Sequence, residues 1–466
     1  MKNHKLIEIE WPDFGCGEKP AGASANEYRE RLSNAREAMV ARGLSHLVVY
    51  GDREHFANIL YLTGFDPRFE EAVLVVGVDE APLLLVGNEC EGYLTVAPLY
   101  NEGELRHELF QSLSLISQPR ASSREIKEIF ASEGVGEGSR VGCAGWKYFT
   151  DAEAEHPESM IEIPAYMVDA LRELAGGCEQ VLNVTDMFMH PTSGLRCTCT
   201  ATEIAYFEYM GILASEGVKS MLMGAEEGMV DYDLAKLIGY NGEALCCHLT
   251  LCTGANRDKG LSGPVGGILK RGDPLSSNLG YWGSNVCRAG WIAESEDDLP
   301  DNAKDYVKAF AGRYFEVMNE WFKMLKIGTS GGDLYRIVAE GLPHEEFGIG
   351  LNPGHLIHMD EWVSSPIYEG SSEVIRSGMA MQVDVIPSSP VYFSTRMEDG
   401  LVIADAELRG DIKAKYPDCY ERCVARRKFV REVLGVELGD EVLPLSNIMT
   451  IVPPFLLRPE LVFALD

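Results

Sequence analysis

The sequence predicts an α/β N-terminal domain followed by an α+β C-terminal domain with an internal pseudo-twofold duplication. Three observations carry this. The chain has 466 residues, more than one hydrophobic core usually organises. Its first 180 or so residues alternate between helical and strand periodicity. Beyond residue 200, one order of elements (long helix, short helix, strands) occurs twice, about a hundred residues apart.

In the first domain, expected over 1–185, residues 27–45 place Tyr28, Leu32, Ala35, Met39 and Leu44 near one helical face, and Gly43 marks its end. The runs at 46–50 (HLVVY), 72–78 (AVLVVGV) and 82–86 (PLLLV) are β-rich and separated by turn residues. Residues 123–134 then read as a helix before another strand near 140–143. The second domain, expected over 195–430, opens with a capping box of Thr200 and Glu203 ahead of Ile204, Phe207, Gly211, Ala214, Val218 and Met221. A shorter helix at 231–242 and a strand-like run, CCHLTLCTG, follow. The order returns with Val307, Phe310, Tyr314, Val317, Trp321 and Met324 at 3-4-3-4-3 spacing. Residues 431–466 are expected as a C-terminal extension. The Met and aromatic residues of both stripes read as core, since a sheet-covering helix needs that spacing.

Composition excludes several function classes. Forty-one Lys and Arg against 72 Asp and Glu give a net charge of −31, which opposes nucleic acid and anionic membranes, whose affinity comes from clustered cations. No segment approaches the apolar length needed to span a bilayer, and the N-terminus has no apolar signal-peptide stretch, so a cytoplasmic protein is expected. The 12 cysteines form no pair of Cys-x-x-Cys motifs, which points to reduced, buried thiols rather than structural zinc.

The chemistry-bearing stretch runs from Gly272 to Glu398. It contains GDPLSSNLGYWGSNVCRAGW (272–291), NPGHLIHMDEW (352–362), SGMAMQVDVIP (377–387) and TRMEDGLVIAD (395–405). Here the sequence resembles the M24 family, the pita-bread fold shared by methionine aminopeptidase, Xaa-Pro aminopeptidase, prolidase and creatinase. The resemblance extends over nearly the whole chain, including a creatinase/prolidase-like N-terminal domain, and it implies a homodimer. In the family's peptidases, two Asp, one His and two Glu hold two divalent metals. The matching positions here are Asn278, Ala289, His355, Asp384 and Glu398. Asn278 is neutral and Ala289 offers no ligand, so too few negative charges remain to offset two neighbouring cations. Creatinase, which works without metal, has the same Asn and Ala. The loop at 255–267, however, has no histidine where creatinase places its catalytic one, so creatine is not implied as the substrate.

The expectation is therefore a creatinase-like, metal-independent hydrolase of a C–N bond in a small cationic, amino-acid-derived substrate, with no cofactor. His355 is the expected acid/base group, because imidazole titrates near neutrality and neighbouring carboxylates raise it. Asp384 and Glu398 are expected to stay ionised and grip the substrate cation or orient His355. Asn278, Arg288, His358 and Glu361 are candidate substrate contacts, with Arg288 facing either a substrate carboxylate or Asp384. Two alternatives stand beside this reading. One is a peptidase or lyase with one divalent transition metal on His355, Asp384 and Glu398. The other is an inactive homologue that binds a ligand or partner. Trp291 is expected to be packing, and His248 a hydrogen-bonded core histidine.

Overall fold

In the computed structural model, which describes residues 2–466, the chain divides into two compact units: Ala23–Arg196, and Met1–Gly22 together with Cys197–Asp466. This differs from the sequence boundaries at both ends. The first 22 residues do not join the domain expected over 1–185, and residues 431–466 are an integral part of the second unit. Strand pairing is the reason. β1 (His4–Glu8) runs antiparallel to Leu461–Leu465 along its whole length, and Val442–Pro444 adds a strand to a sheet of the same unit.

The unit Ala23–Arg196 contains, in chain order, α1 (Ala25–Ala41), β2 (His46–Gly51), α2 (Ala57–Thr63), β3 (Ala72–Gly77), β4 (Leu83–Val86), α3 (Pro98–Asn101), β5 (Arg106–Leu109), α4 (Ile126–Ser132), β6 (Val141–Ala144), α5 (Ala165–Ala175), β7 (Val181–Asn183) and α6 (Asp186–Met189). The strands form one mixed sheet in the order β5-β4-β3-β2-β6-β7. Pairing is antiparallel from β2 through β4 and parallel elsewhere. α1 starts at Ser24, whose side chain closes a capping box with Glu27, and its predicted stripe is buried. Val48, Val73, Leu85 and Val141 of the sheet pack with Phe130 of α4 and Leu171 of α5 in one apolar cluster.

The second unit continues with α7 (Ala201–Gly224), α8 (Asp231–Lys236), β8 (Thr250–Thr253), β9 (Pro274–Tyr281), β10 (Ser284–Trp291), α9 (Gly312–Met324), α10 (Gly331–Gly341), α11 (His344–Phe347), β11 (His355–Leu356), β12 (Ala380–Gln382), β13 (Arg396–Glu398), β14 (Gly400–Ile403), α12 (Ala406–Lys415), α13 (Pro417–Glu432), β15 (Val442–Pro444) and β16 (Leu461–Leu465). The repeated order of helix, helix and strands is present as α7–α8–β8 and α9–α10–β11. The Thr200–Glu203 capping box forms at the head of α7, whose apolar stripe is buried throughout. The second stripe is buried only in its middle. Val307 lies in a π-helical turn before α9, and Met324 at its end is 39% exposed. The run CCHLTLCTG becomes a strand only from Thr250. His248 bonds the Leu261 carbonyl, as a satisfied histidine should, but it is exposed rather than part of the core. Trp291 is buried edge-on against Tyr306.

Two four-stranded antiparallel sheets, β13-β10-β9-β8 and β11-β12-β14-β15, carry the candidate chemistry. β13 ends at Glu398 and β14 begins at Gly400. The chain thus steps from one sheet to the other at Asp399, which lets Glu398 and Asp399 point to opposite sides.

Candidate functional site

Register decides which side chains meet. Across the β10–β13 pair Cys287 faces Glu398 and Ala289 faces Arg396. Because alternate residues of a strand share a face, Asn285, Cys287 and Ala289 look toward Glu398, and Arg288 looks away. Asn285 Nδ2 donates to Glu398 Oε1 at 2.7 Å, and Arg396 Nη1 donates to Cys287 Sγ at 3.2 Å.

The Arg288 expectation is therefore corrected on both counts. Its guanidinium is 1% exposed and ion-pairs with Asp399 at 2.8 Å. It also donates to the carbonyls of Ile451 (2.7 Å), Cys287 (2.7 Å), Ile448 (2.6 Å) and Glu398 (3.2 Å). It faces neither Asp384 nor a substrate. A one-residue difference in strand parity separates it from the site.

His355 sits on β11, fully buried, and the chain reaches it through Gly354. That residue adopts φ 110°, and a Cβ there would stand 3.2 Å from both the Gln382 carbonyl and the Trp321 ring. Glycine is required on both grounds. His355 Nδ1 lies 3.1 Å from the Leu356 carbonyl, and Trp362 stacks on the ring at 4.1 Å. Nε2 faces Glu361 Oε1 at 3.1 Å and Asp384 Oδ2 at 3.9 Å, with no well-aligned hydrogen bond. Glu361 thus joins the site. His358 does not: it turns to the head of α7, where Nε2 stands 3.0 Å from Glu203 Oε1 and Phe207 meets its ring edge-on.

Asn278 is committed to the protein. Its Oδ1 accepts from the Thr250 N–H at 2.8 Å and from the Thr250 hydroxyl, while Nδ2 donates to Asn285 Oδ1 (3.2 Å) and Cys247 Sγ (3.3 Å). The result is a chain of contacts from Cys247 through Asn278 and Asn285 to Glu398.

Electrostatics separate the three acids. Burial would push the His355 imidazole down, but Glu361 and then Asp384 outweigh it and hold its pKa above the ordinary value. Glu361 is half-buried, which pushes its carboxyl up, yet His355 pulls it below the usual carboxylate range. Burial pushes Asp384 up. Burial, then Asp384 and Glu361, push Glu398 well above the carboxylate range. The expectation that Asp384 and Glu398 both stay ionised therefore does not hold: three carboxyls share a dry space, and one favours its proton. Arg396 stays cationic because Cys287, Glu398 and Asp384 offset its burial.

A dinuclear metal centre does not fit these residues. Ala289 has no donor atom, the Asn278 oxygen is occupied by Thr250, and Arg396 already brings a cation opposite Ala289. One ion fits better, since His355, Glu361 and Glu398 each bring a ligand atom within 4.8 Å of the others. Sequence reading missed Arg396 and Asn285 as members of the site. Asn285 was findable, because antiparallel pairing across the β9–β10 turn places it near Asn278.

No family model matches the sequence, and no curated protein does either. Solved structures do match. Dipeptidase PepE from Mycobacterium ulcerans has a TM-score of 0.62 at 16% identity, over 82% of this chain and 95% of that one. The recombinant prolidase from Thermococcus sibiricus has a TM-score of 0.61 at 14% identity, over 90% and 96%. A histidine-to-alanine variant of Escherichia coli aminopeptidase P has a TM-score of 0.57 at 16% identity, over 88% and 100%. The chain has the pita-bread fold. Identity this low carries the fold and nothing of the activity, which resides in the site. On this pita-bread scaffold, the two positions where the resemblance calls for aspartates hold Asn278, bonded inward, and Ala289.

Proposed function

We propose that the protein is a hydrolase that cleaves a C–N bond in a small cationic, amino-acid-derived molecule without a dinuclear metal centre. The observation that carries this reading is the His355–Glu361 ion pair, 3.1 Å long and facing Asp384. It supplies a protonated imidazole beside buried anions. Glu361 and Asp384 hold the cationic group of the substrate by charge-assisted hydrogen bonds. His355 delivers its Nε2 proton to the departing nitrogen. A cationic substrate bound among these acids draws Glu398 toward its ionised form, and the resulting carboxylate accepts a proton from the attacking water while Asn285 fixes its Oε1. Arg396 limits the mutual repulsion of the acids.

Screening guanidino compounds, betaines and Xaa-Pro peptides for turnover, then measuring His355→Ala on any substrate found, tests this. A loss of about 10²–10⁴-fold in kcat is expected; near-normal kcat would remove the mechanism. A second reading, one divalent ion on His355, Glu361 and Glu398, is favoured by their 4.8 Å grouping. Such an ion would polarise the scissile bond. Activity that appears only with added Mn, Zn or Fe and vanishes with chelator would select it.

A further inference from the structure

Two adjacent thiols border the His355 cluster and take no part in the proposed reaction. Cys246 and Cys247 lie in the irregular segment before β8, and both are half-buried. Their sulfurs converge over Gly280 of β9. A Cβ built there would stand 2.7 Å from Cys246 Sγ, 2.9 Å from Cys247 Sγ and 3.0 Å from Asn285 Oδ1. Any side chain at 280 would force these atoms apart, so glycine leaves the space in which the sulfurs meet. Cys246 Sγ donates to the Ser284 carbonyl at 3.6 Å, and Cys247 Sγ accepts from Asn278 Nδ2 at 3.3 Å. Other cysteines close in sequence, Cys197 with Cys199 and Cys419 with Cys423, are buried, away from a solvent-borne oxidant.

We propose that Cys246 and Cys247 form a reversible oxidation site, which a hydroperoxide converts to a vicinal disulfide. Cys247, the sulfur that accepts the Asn278 hydrogen, attacks the peroxide oxygen as thiolate. The O–O bond breaks, the departing oxygen takes a proton, and a sulfenic acid is left on Cys247. The Cys246 sulfur then attacks Cys247 Sγ; the S–S bond forms, the S–O bond breaks, and water leaves with the Cys246 proton. Two thiols are oxidised by two electrons, and one peroxide is reduced to the level of water. Pulling Cys247 Sγ into an S–S bond of about 2.05 Å draws it off Asn278. The contact chain through Asn285 to Glu398 loses its outer anchor, which makes the site itself responsive to the oxidant.

The test treats the full chain with hydrogen peroxide, blocks remaining thiols with iodoacetamide, and maps the tryptic peptide spanning 237–257. That peptide also contains Cys252, which is buried, so fragmentation must locate the link. A species lighter by two hydrogens is expected, reversed by dithiothreitol and giving no fragment ions between residues 246 and 247. Cys246→Ser and Cys247→Ser should each abolish it, and Cys252→Ser should retain it. In case the serine variants misfold, phenylarsine oxide gives an independent measure on the unaltered chain. It should be captured by the reduced protein and not by the peroxide-treated one. Direct oxidation of Cys247 to sulfinic acid, a link to Cys252, or equal arsenical capture before and after peroxide would overturn the proposal. None of these readouts depends on the hydrolase reading.

Discussion

Replacing Arg288 by Met tests whether that guanidinium serves the fold or a ligand. Arg288 and Asp399 are each 1% exposed and joined at 2.8 and 3.1 Å. Removing the cation leaves Asp399 with two neutral donors, the Thr450 N–H at 3.1 Å and the Ser446 side chain. Breaking a buried pair by deleting one partner costs about 3–5 kcal/mol, because the other charge is left uncompensated. At roughly 2–4 °C per kcal/mol for a unit of this size, the melting temperature should fall by about 6–20 °C. The loss should depend on pH. Burial already pushes the Asp399 carboxyl up while Arg288 pulls it back, so without Arg288 it rises further. A raised carboxyl favours the fold when protonated and costs stability as pH climbs through its folded pKa. The deficit of Arg288→Met should accordingly be larger at pH 8 than at pH 5. Thermal melts followed by circular dichroism at both pH values read this out. A double variant, Arg288→Met with Asp399→Leu, should recover most of the loss by removing the stranded charge. A single variant that melts within about 2 °C of the parent at pH 8, yet no longer binds a ligand the parent binds, would refute the structural role and restore Arg288 to the substrate side.

Glu398→Gln should raise thermal stability at pH 8 and leave it unchanged near pH 4, since a carboxyl whose folded pKa is raised contributes fully below its unfolded value and becomes a cost above it. Equal melting temperatures for parent and variant at pH 8 would contradict the crowded-acid account. Elemental analysis after dialysis against Mn, Zn and Fe salts should find no more than one ion per chain, and two would show that the ligand count here is wrong. Asn278→Asp combined with Ala289→Asp should increase uptake over the parent. Unchanged uptake would mean that Arg396 and the Thr250 bonds keep that corner closed to metal.

The helices and most strands were legible because each carries its period in consecutive residues, as Ile204 to Met221 does. His355, Asp384 and Glu398 were singled out through short motifs, and the structure sets Asp384 Oδ2 3.9 Å from His355 Nε2. What failed depended on three-dimensional facts that a linear reading cannot weigh. Arg288 and Ala289 are neighbours in sequence, but strand parity sends one to each side. Glu361 and His358 looked equivalent in a polar loop, and only the packing of α7 against that loop separates them. The ionisation of Glu398 was misjudged because isolated carboxylates stay charged, and nothing in the sequence reports that three of them share a dry pocket. The ends of the second unit were misassigned because a strand pair between residues 4 and 465 leaves no local trace.

That strand pair sets an order of events during synthesis. β1 is made about 450 residues before its partner β16, so at about 5–20 residues per second β1 waits roughly 20–90 s for its hydrogen-bond partners. Throughout that interval its backbone donors and acceptors are an open edge. The sheet of Ala23–Arg196 has all its strands by residue 183 and can close while the rest of the chain is still being made. A ribosome stalled just before residue 461 would therefore hold the strands of three complete sheets and one unpaired strand, a species with its own opportunities for mispairing.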